Sequence, residues 1–275
     1  MDTRKWSAFP HHAKAFTHTP DSLRKHWAEL HRGDCEPFPD AAWVSAQDPS
    51  CDDPAHTAEA LQQAWIAFHS GDFASAVRQA DALGLIGHAV ANKACGIYAD
   101  YLEDNEKRQV TIYQAAIERA EQAIEAFPNH ANSHYLHAFL IGRYSQCISV
   151  AQALTQGLGG QVQTSLKRAL ELAPDHAEAL TAQGLFNAEI IDKVGKLVGS
   201  MTYGASADKA MAAFERALVL TPKAPIAHIE YGNGLHLLFG DDKLEESNAA
   251  YQAAAKLKPI DAMQQLDVAY AKASV

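Results

Sequence analysis

The sequence predicts an all-α protein, a right-handed array of four to five helical pairs capped at both ends. Three observations lead there. No stretch of useful length alternates apolar and polar residues with period two, so strands are not expected. Four segments end in a proline, Pro128, Pro174, Pro222 and Pro259, and each carries an alanine five residues earlier: Ala123, Ala169, Ala217 and Ala254. A small residue then follows ten positions after each proline: Ala138, Gly184, Gly232 and Ala269.

The helices follow in order. Residues 1–55 differ from the rest, with Trp6, Trp27, Trp43, closely spaced prolines and five of the fourteen histidines. Within them Thr19-Pro20-Asp21 reads as a helix start, with Thr19 as cap and Pro20 in the first turn. Leu23, Trp27 and Leu30 form an i, i+4, i+7 stripe that should dock on the first pair, making this the N-terminal capping element of a helical domain spanning 56–275. A first pair is expected at 60–83, where Gly71-Asp72-Phe73 separates two helical runs that carry Ala64 and Ala76.

In the four proline-ended segments, positions eight before the proline hold Ala120, Leu166, Phe214 and Tyr251, and positions twelve before hold Ala116, Val162, Ala210 and Ser247. Together with the alanines they fall on one helical face. Proline ends each helix and sets up the next. Glycine inside a helix costs about 1 kcal/mol relative to alanine, so Gly184 and Gly232 at one register call for a packing reason, the close crossing of two antiparallel helices. The proline spacings are 46, 48 and 37 residues, and the excess lies in two apolar, glycine-containing insertions, 144–160 and 190–205. These are expected to extend the first helix of a pair and then reverse at glycine. Ala262–Ala273 is the expected C-terminal cap.

Small residues at the crossings and a proline at the end of each pair make the chain resemble the tetratricopeptide repeat family, whose period is 34 residues. The resemblance covers about 55–272, with its strongest motifs over 116–262. It departs at the large positions of the first helix, which hold His134 and His137, then Leu180 and Gln183, then His228 and Tyr231. Divergent units with lengthened helices are similar to the T-component family associated with TRAP transporters. The resemblance implies a superhelix with a binding groove, and for the T-component an enclosed apolar cleft.

Composition narrows the function. The chain has 275 residues, 33 acidic and 23 basic, for a formal net charge of −10. At 48% hydrophobic and 20% charged it belongs with globular proteins and not with disordered ones. No apolar run approaches the roughly 20 residues that span a bilayer. The opening residues lack the apolar core of a secretory signal, and Cys35, Cys51, Cys95 and Cys147 stand singly, so a cytoplasmic protein with free thiols is expected. An acidic, unpatterned surface argues against nucleic acid as a partner.

No nucleophile elbow, zinc-protease helix or phosphate-binding glycine loop occurs. The Gly157-Leu158-Gly159-Gly160 run follows a helix and not a strand, which removes it as a nucleotide site. His26 and His31, with Glu29 and Cys35, match no closed zinc spacing, and His134 and His137 sit at a packing register. No metal, cofactor or catalytic residue is therefore expected. The face left free by the crossings is Asn132, Tyr135, Phe139 and Arg143, then Glu178, Thr181, Leu185 and Glu189, then Ile229, Asn233 and His236. These rows are expected to line a groove that binds a protein or peptide partner, in a non-enzymatic scaffold or adaptor. The alternative is a protein that binds a small apolar ligand. A weaker one, resting only on histidine content, is an accessory subunit of a metal or redox enzyme.

Overall fold

The computed structural model describes residues 2–275. Among them are fifteen α-helices and three 3-10 turns, with no strand. In chain order these are α1 (Pro20–Leu30), α2 (Ala41–Gln47), α3 (Pro54–His69), α4 (Phe73–Ala82), α5 (His88–Tyr101), α6 (Glu106–Ala126), α7 (Ala131–Gln146), α8 (Val150–Thr155), α9 (Leu158–Leu172), α10 (Ala177–Val194), α11 (Lys196–Tyr203), α12 (Ala207–Leu220), α13 (Pro225–Phe239), α14 (Leu244–Lys256) and α15 (Ala262–Ala273).

Local chemistry starts many of these helices. Side chains of Thr19, Asp40, Asp53, Asp72, Asn105, Ser149, Ser206 and Asp261 each accept a hydrogen bond from the backbone of the first turn. Such a cap supplies a partner for one of the four N–H groups that a helix start leaves open. Thr19 and Ser22 form a reciprocal capping box, with Pro20 at the first helical position. Between α3 and α4 the turn depends on Gly71, whose φ of +88° favours glycine, and a Cβ there would meet the Phe9 ring at 2.6 Å.

Successive helices pack as pairs: α3 with α4, α5 with α6, α7 with α9, α10 with α12, and α13 with α14. The members α3, α5, α7, α10, α13 and α15 also touch one another from pair to pair. The register read from the prolines is the packing register. Ala116, Ala120, Ala123, Leu166, Ala169, Ala210, Phe214, Ala217 and Ala254 are all buried. A Cβ on Gly184 would lie 2.7 Å from the Phe214 ring, and one on Gly232 would lie 2.9 Å from the Tyr251 ring. Glycine is what allows α10 to approach α12, and α13 to approach α14, so closely.

Two features were not expected from the sequence. The insertions do extend α7 and α10, but each then forms a short helix of its own, α8 and α11, with left-handed glycines at Gly157 and Gly204. The last helix also returns to the first pairs. It contacts α3, and the Tyr101 hydroxyl of α5 donates to Asp267 Oδ1 of α15 at 2.6 Å. Phe16, Leu23 and Trp27 from the first 55 residues share one core with Phe68, Tyr98 and Leu140.

Candidate functional site

Helix α5 is the innermost element, with every residue from His88 to Ala99 buried. Lys93 lies in its middle, and its ammonium donates to Asp34 and, at 2.9 Å, to Glu178 of α10. Asp34 belongs to the segment 31–38, which runs between α1 and α2 and crosses the faces of α5, α7 and α10. Gly33 O accepts from Glu178 N at 2.9 Å. Asn132 Nδ2 donates to Asp34 O and to Glu36, while Asn132 Oδ1 accepts from His176 Nε2 at 2.9 Å. His130 pairs with Glu36 at 3.2 Å. The groove expected to be open is thus occupied along this stretch by the chain's own segment.

Burial and pairing compete within this network. Burial opposes ionisation of Lys93, but Asp34 and Glu178 outweigh it and raise its pKa. Burial likewise works against the Asp34 carboxylate, and His31 and Lys93 nevertheless hold it well below the usual range. Glu178 is raised, because burial exceeds what Lys93 returns.

Next to this segment lies a cavity of about 240 Å³, just under the roughly 300–1,000 Å³ common for small-molecule sites. Ile97, Leu136, Phe139, Leu158, Leu185 and Phe186 form its apolar wall. Val150 and Leu154 of α8 also line it, and both are substantially exposed, which places α8 at its opening. The neighbouring α11 contributes Tyr203 to the wall and turns Leu197 and Met201 outward, 74% and 80% exposed.

The rest of the wall is polar. Arg143 donates to Glu230 of α13 at 2.7 Å and sits 3.5 Å from Asp100 of α5. Burial works against the guanidinium, yet Asp100 and Glu230 hold its pKa well above the ordinary value. Asp267 of α15 accepts the Tyr101 hydroxyl through Oδ1, while its buried Oδ2 has no hydrogen-bond partner among the described residues. Burial pushes the Asp267 pKa up to about 8, against the lowering effect of the Tyr101 hydrogen bond.

Of the residues expected on the free face, Tyr135, Phe139, Arg143, Glu178, Thr181, Leu185 and Glu189 line the cavity. The other four do not. Asn132 is committed to segment 31–38 and His176. Ile229 is buried against Ala254 and Ala271. Asn233 bridges Glu230 and the Tyr251 hydroxyl, and His236 is exposed near the end of α13. The reason is geometric: α13 presents only its first turns to the cavity, through Ile226 and Glu230. Sequence reasoning missed Lys93, Asp100, Glu230 and Asp267. Each is a charged residue inside a helix that carries no motif, and only long-range pairing reveals it. Of the histidines read as packing residues, His134 Nε2 is hydrogen-bonded to Pro128 O and His137 Nδ1 to Ser165 Oγ.

A family model described as regulator of microtubule dynamics protein 1-3 matches residues 89–232, just over half of the chain, from α5 into α13. No curated protein matches the chain. The family match corrects the resemblance drawn from the sequence, because it is neither to the tetratricopeptide repeat nor to the transporter T-component family. The features behind that resemblance, small residues at crossings and prolines between helices, are general solutions to packing helices closely, so they report pairing and not descent.

Proposed function

The chain belongs to the regulator of microtubule dynamics protein 1-3 family, and on that premise we propose that it is a non-enzymatic binding protein that holds an elongated apolar ligand in the cavity between α5, α7, α9 and α10. The observation that carries this reading is the cavity itself, walled by Ile97, Phe139, Leu185 and Phe186, closed at one end by buried charges and opening beside α8. An apolar enclosure with a few polar groups at one end is the usual form of a small-molecule site. The peptide reading asks more of the molecule, since residues 31–38 hold part of that face through Lys93, Asn132 and His130. Within the same proposal, the helical pairs form a right-handed superhelical array. The shared crossing register of α10 with α12 and of α13 with α14 supports it.

The test is titration with the neutral fluorescent probe N-phenyl-1-naphthylamine. Saturable binding at one site per chain, lost in Leu185→Trp with the circular dichroism spectrum unchanged, is the expected result. Non-saturable binding, or equal binding by a folded Leu185→Trp, overturns the reading.

The family description favours a second role, as a regulator of microtubule dynamics acting through a protein partner. Its test is direct: growth and shortening rates of microtubules assembled from purified tubulin, with and without the protein. Unchanged rates at micromolar protein reject a direct action.

A further inference from the structure

The polar end of the cavity is unbalanced. Four acidic side chains line it, Asp100, Glu178, Glu230 and Asp267, against the two cations Lys93 and Arg143. Both cations are already engaged twice. Lys93 faces Asp34 and Glu178, and Arg143 faces Asp100 and Glu230. Among the described residues Asp267, which lines the cavity, has no basic partner, and its Oδ2 is buried without a hydrogen bond. A buried acceptor in that state costs free energy until something donates to it.

From this geometry we infer that the cavity selects a cationic amphiphile, an alkyl chain ending in a protonated primary amine, with the ammonium pairing with the Asp267 carboxyl group. The inference rests on the ligand cavity proposed above and adds the chemical class of the head group. An ammonium would bring a donor to the Asp267 carboxyl, whose Oδ2 is the one buried carboxyl oxygen without a hydrogen-bond partner among the described residues, and would offset the excess of acidic over basic groups in the wall. An anionic head group would meet the opposite situation, a wall with more acidic than basic groups and no uncommitted basic group in it. A neutral hydroxyl can donate to the same oxygen but leaves the charge imbalance in place. The apolar wall of Ile97, Leu136, Phe139 and Leu185 takes the chain irrespective of the head. Selectivity therefore sits at Asp267 and affinity for the tail sits elsewhere.

The experiment compares dodecylamine, dodecan-1-ol and dodecanoate, each below its aggregation threshold, by isothermal titration calorimetry at pH 7 and constant ionic strength. The expected result is that dodecylamine binds at least ten-fold more tightly than the other two. In Asp267→Asn this preference should shrink to less than three-fold while the alcohol's affinity holds. Dodecanoate binding as tightly as the amine, or tighter, overturns the head-group inference and leaves the cavity reading intact. An amine preference that persists in folded Asp267→Asn overturns the assignment to Asp267. Absence of binding by all three overturns both the inference and the cavity reading. The ranking on the unmodified protein is decisive by itself if the variant does not fold.

Discussion

His31 Nε2 and His69 Nε2 stand 3.2 Å apart in the interior, close enough to share a proton. Each ring faces a carboxylate through its other nitrogen, His31 toward Asp34 and His69 toward Asp261, both at 2.9 Å. A carboxylate only accepts, so both Nδ1 atoms carry hydrogen, and the bridge between the rings needs one more. Burial depresses the His69 pKa to about 4, with Asp261 offsetting part of the effect, so the His69 ring is held neutral.

Stability should fall in mild acid. Burial holds His69 and His176 near 4 and His88 near 3, whereas an unfolded histidine titrates at about 6.5. Between those values the unfolded chain binds more protons, so stability is full above about pH 6.5 and is lost as pH falls toward 4. Urea midpoints measured from pH 7.5 to 4.5 should drop steadily over this window. A flat profile would show that these rings are not held neutral.

Asp267 has the opposite sign. Its folded pKa, near 8, lies above its unfolded value, so its ionisation is penalised increasingly as pH rises from about 4 toward 8. Asp267→Asn should stabilise the protein at pH 8 relative to pH 5 by about 1–3 kcal/mol, the cost of a buried group without its partner. Thermal melts of both proteins at the two pH values decide it, and an equal difference at each pH would contradict the raised pKa.

Lys93→Met should cost roughly 3–5 kcal/mol, because it leaves two buried carboxylates without their cation. Adding Asp34→Asn removes one of those charges, so the double variant should lose less than the sum of the single losses, by about 0.5–3 kcal/mol. Strict additivity in a double-mutant cycle would mean that the 31–38 segment is not anchored through this pair.

Gly184→Leu and Gly232→Leu should each destabilise by about 2–4 kcal/mol, through overpacking of a close crossing. At Gly184 the atoms in the way are ring carbons of the buried Phe214, and at Gly232 they are the Tyr251 ring and the backbone carbonyl of Ser247 at 3.1 Å. Denaturant melts matching the unsubstituted protein would place these glycines outside the crossings.

Much of the helical pairing was legible in the sequence because it is written in short-range periodicity. Ala123, Ala169, Ala217 and Ala254 occur at a fixed distance from a proline, and all four are buried. Thr19 and Pro20 likewise mark the start of α1 by local capping chemistry. Helix α5 left no such trace. It is buried all round, so it has no apolar stripe to detect, and its Lys93 breaks the pattern that would have suggested a core helix. The polar end of the cavity was illegible for a different reason. Asp100, Arg143, Glu230 and Asp267 are far apart in sequence and meet only when α5, α7, α13 and α15 are assembled, which no spacing rule anticipates.

The return of α15 to α3 changes how the molecule should unfold. In an open chain of helix pairs each unit contacts only its neighbours, so ends fray and unfolding spreads inward. Here the Asp261–His69 contact links residues 192 positions apart, and the ends constrain each other. Forming that link requires ordering nearly everything between, so its loop-closure entropy falls late on the folding route. Once made, it removes the weak terminus from which melting would begin. Trimming either end should therefore loosen both, and the chain should come apart as one cooperative body instead of pair by pair.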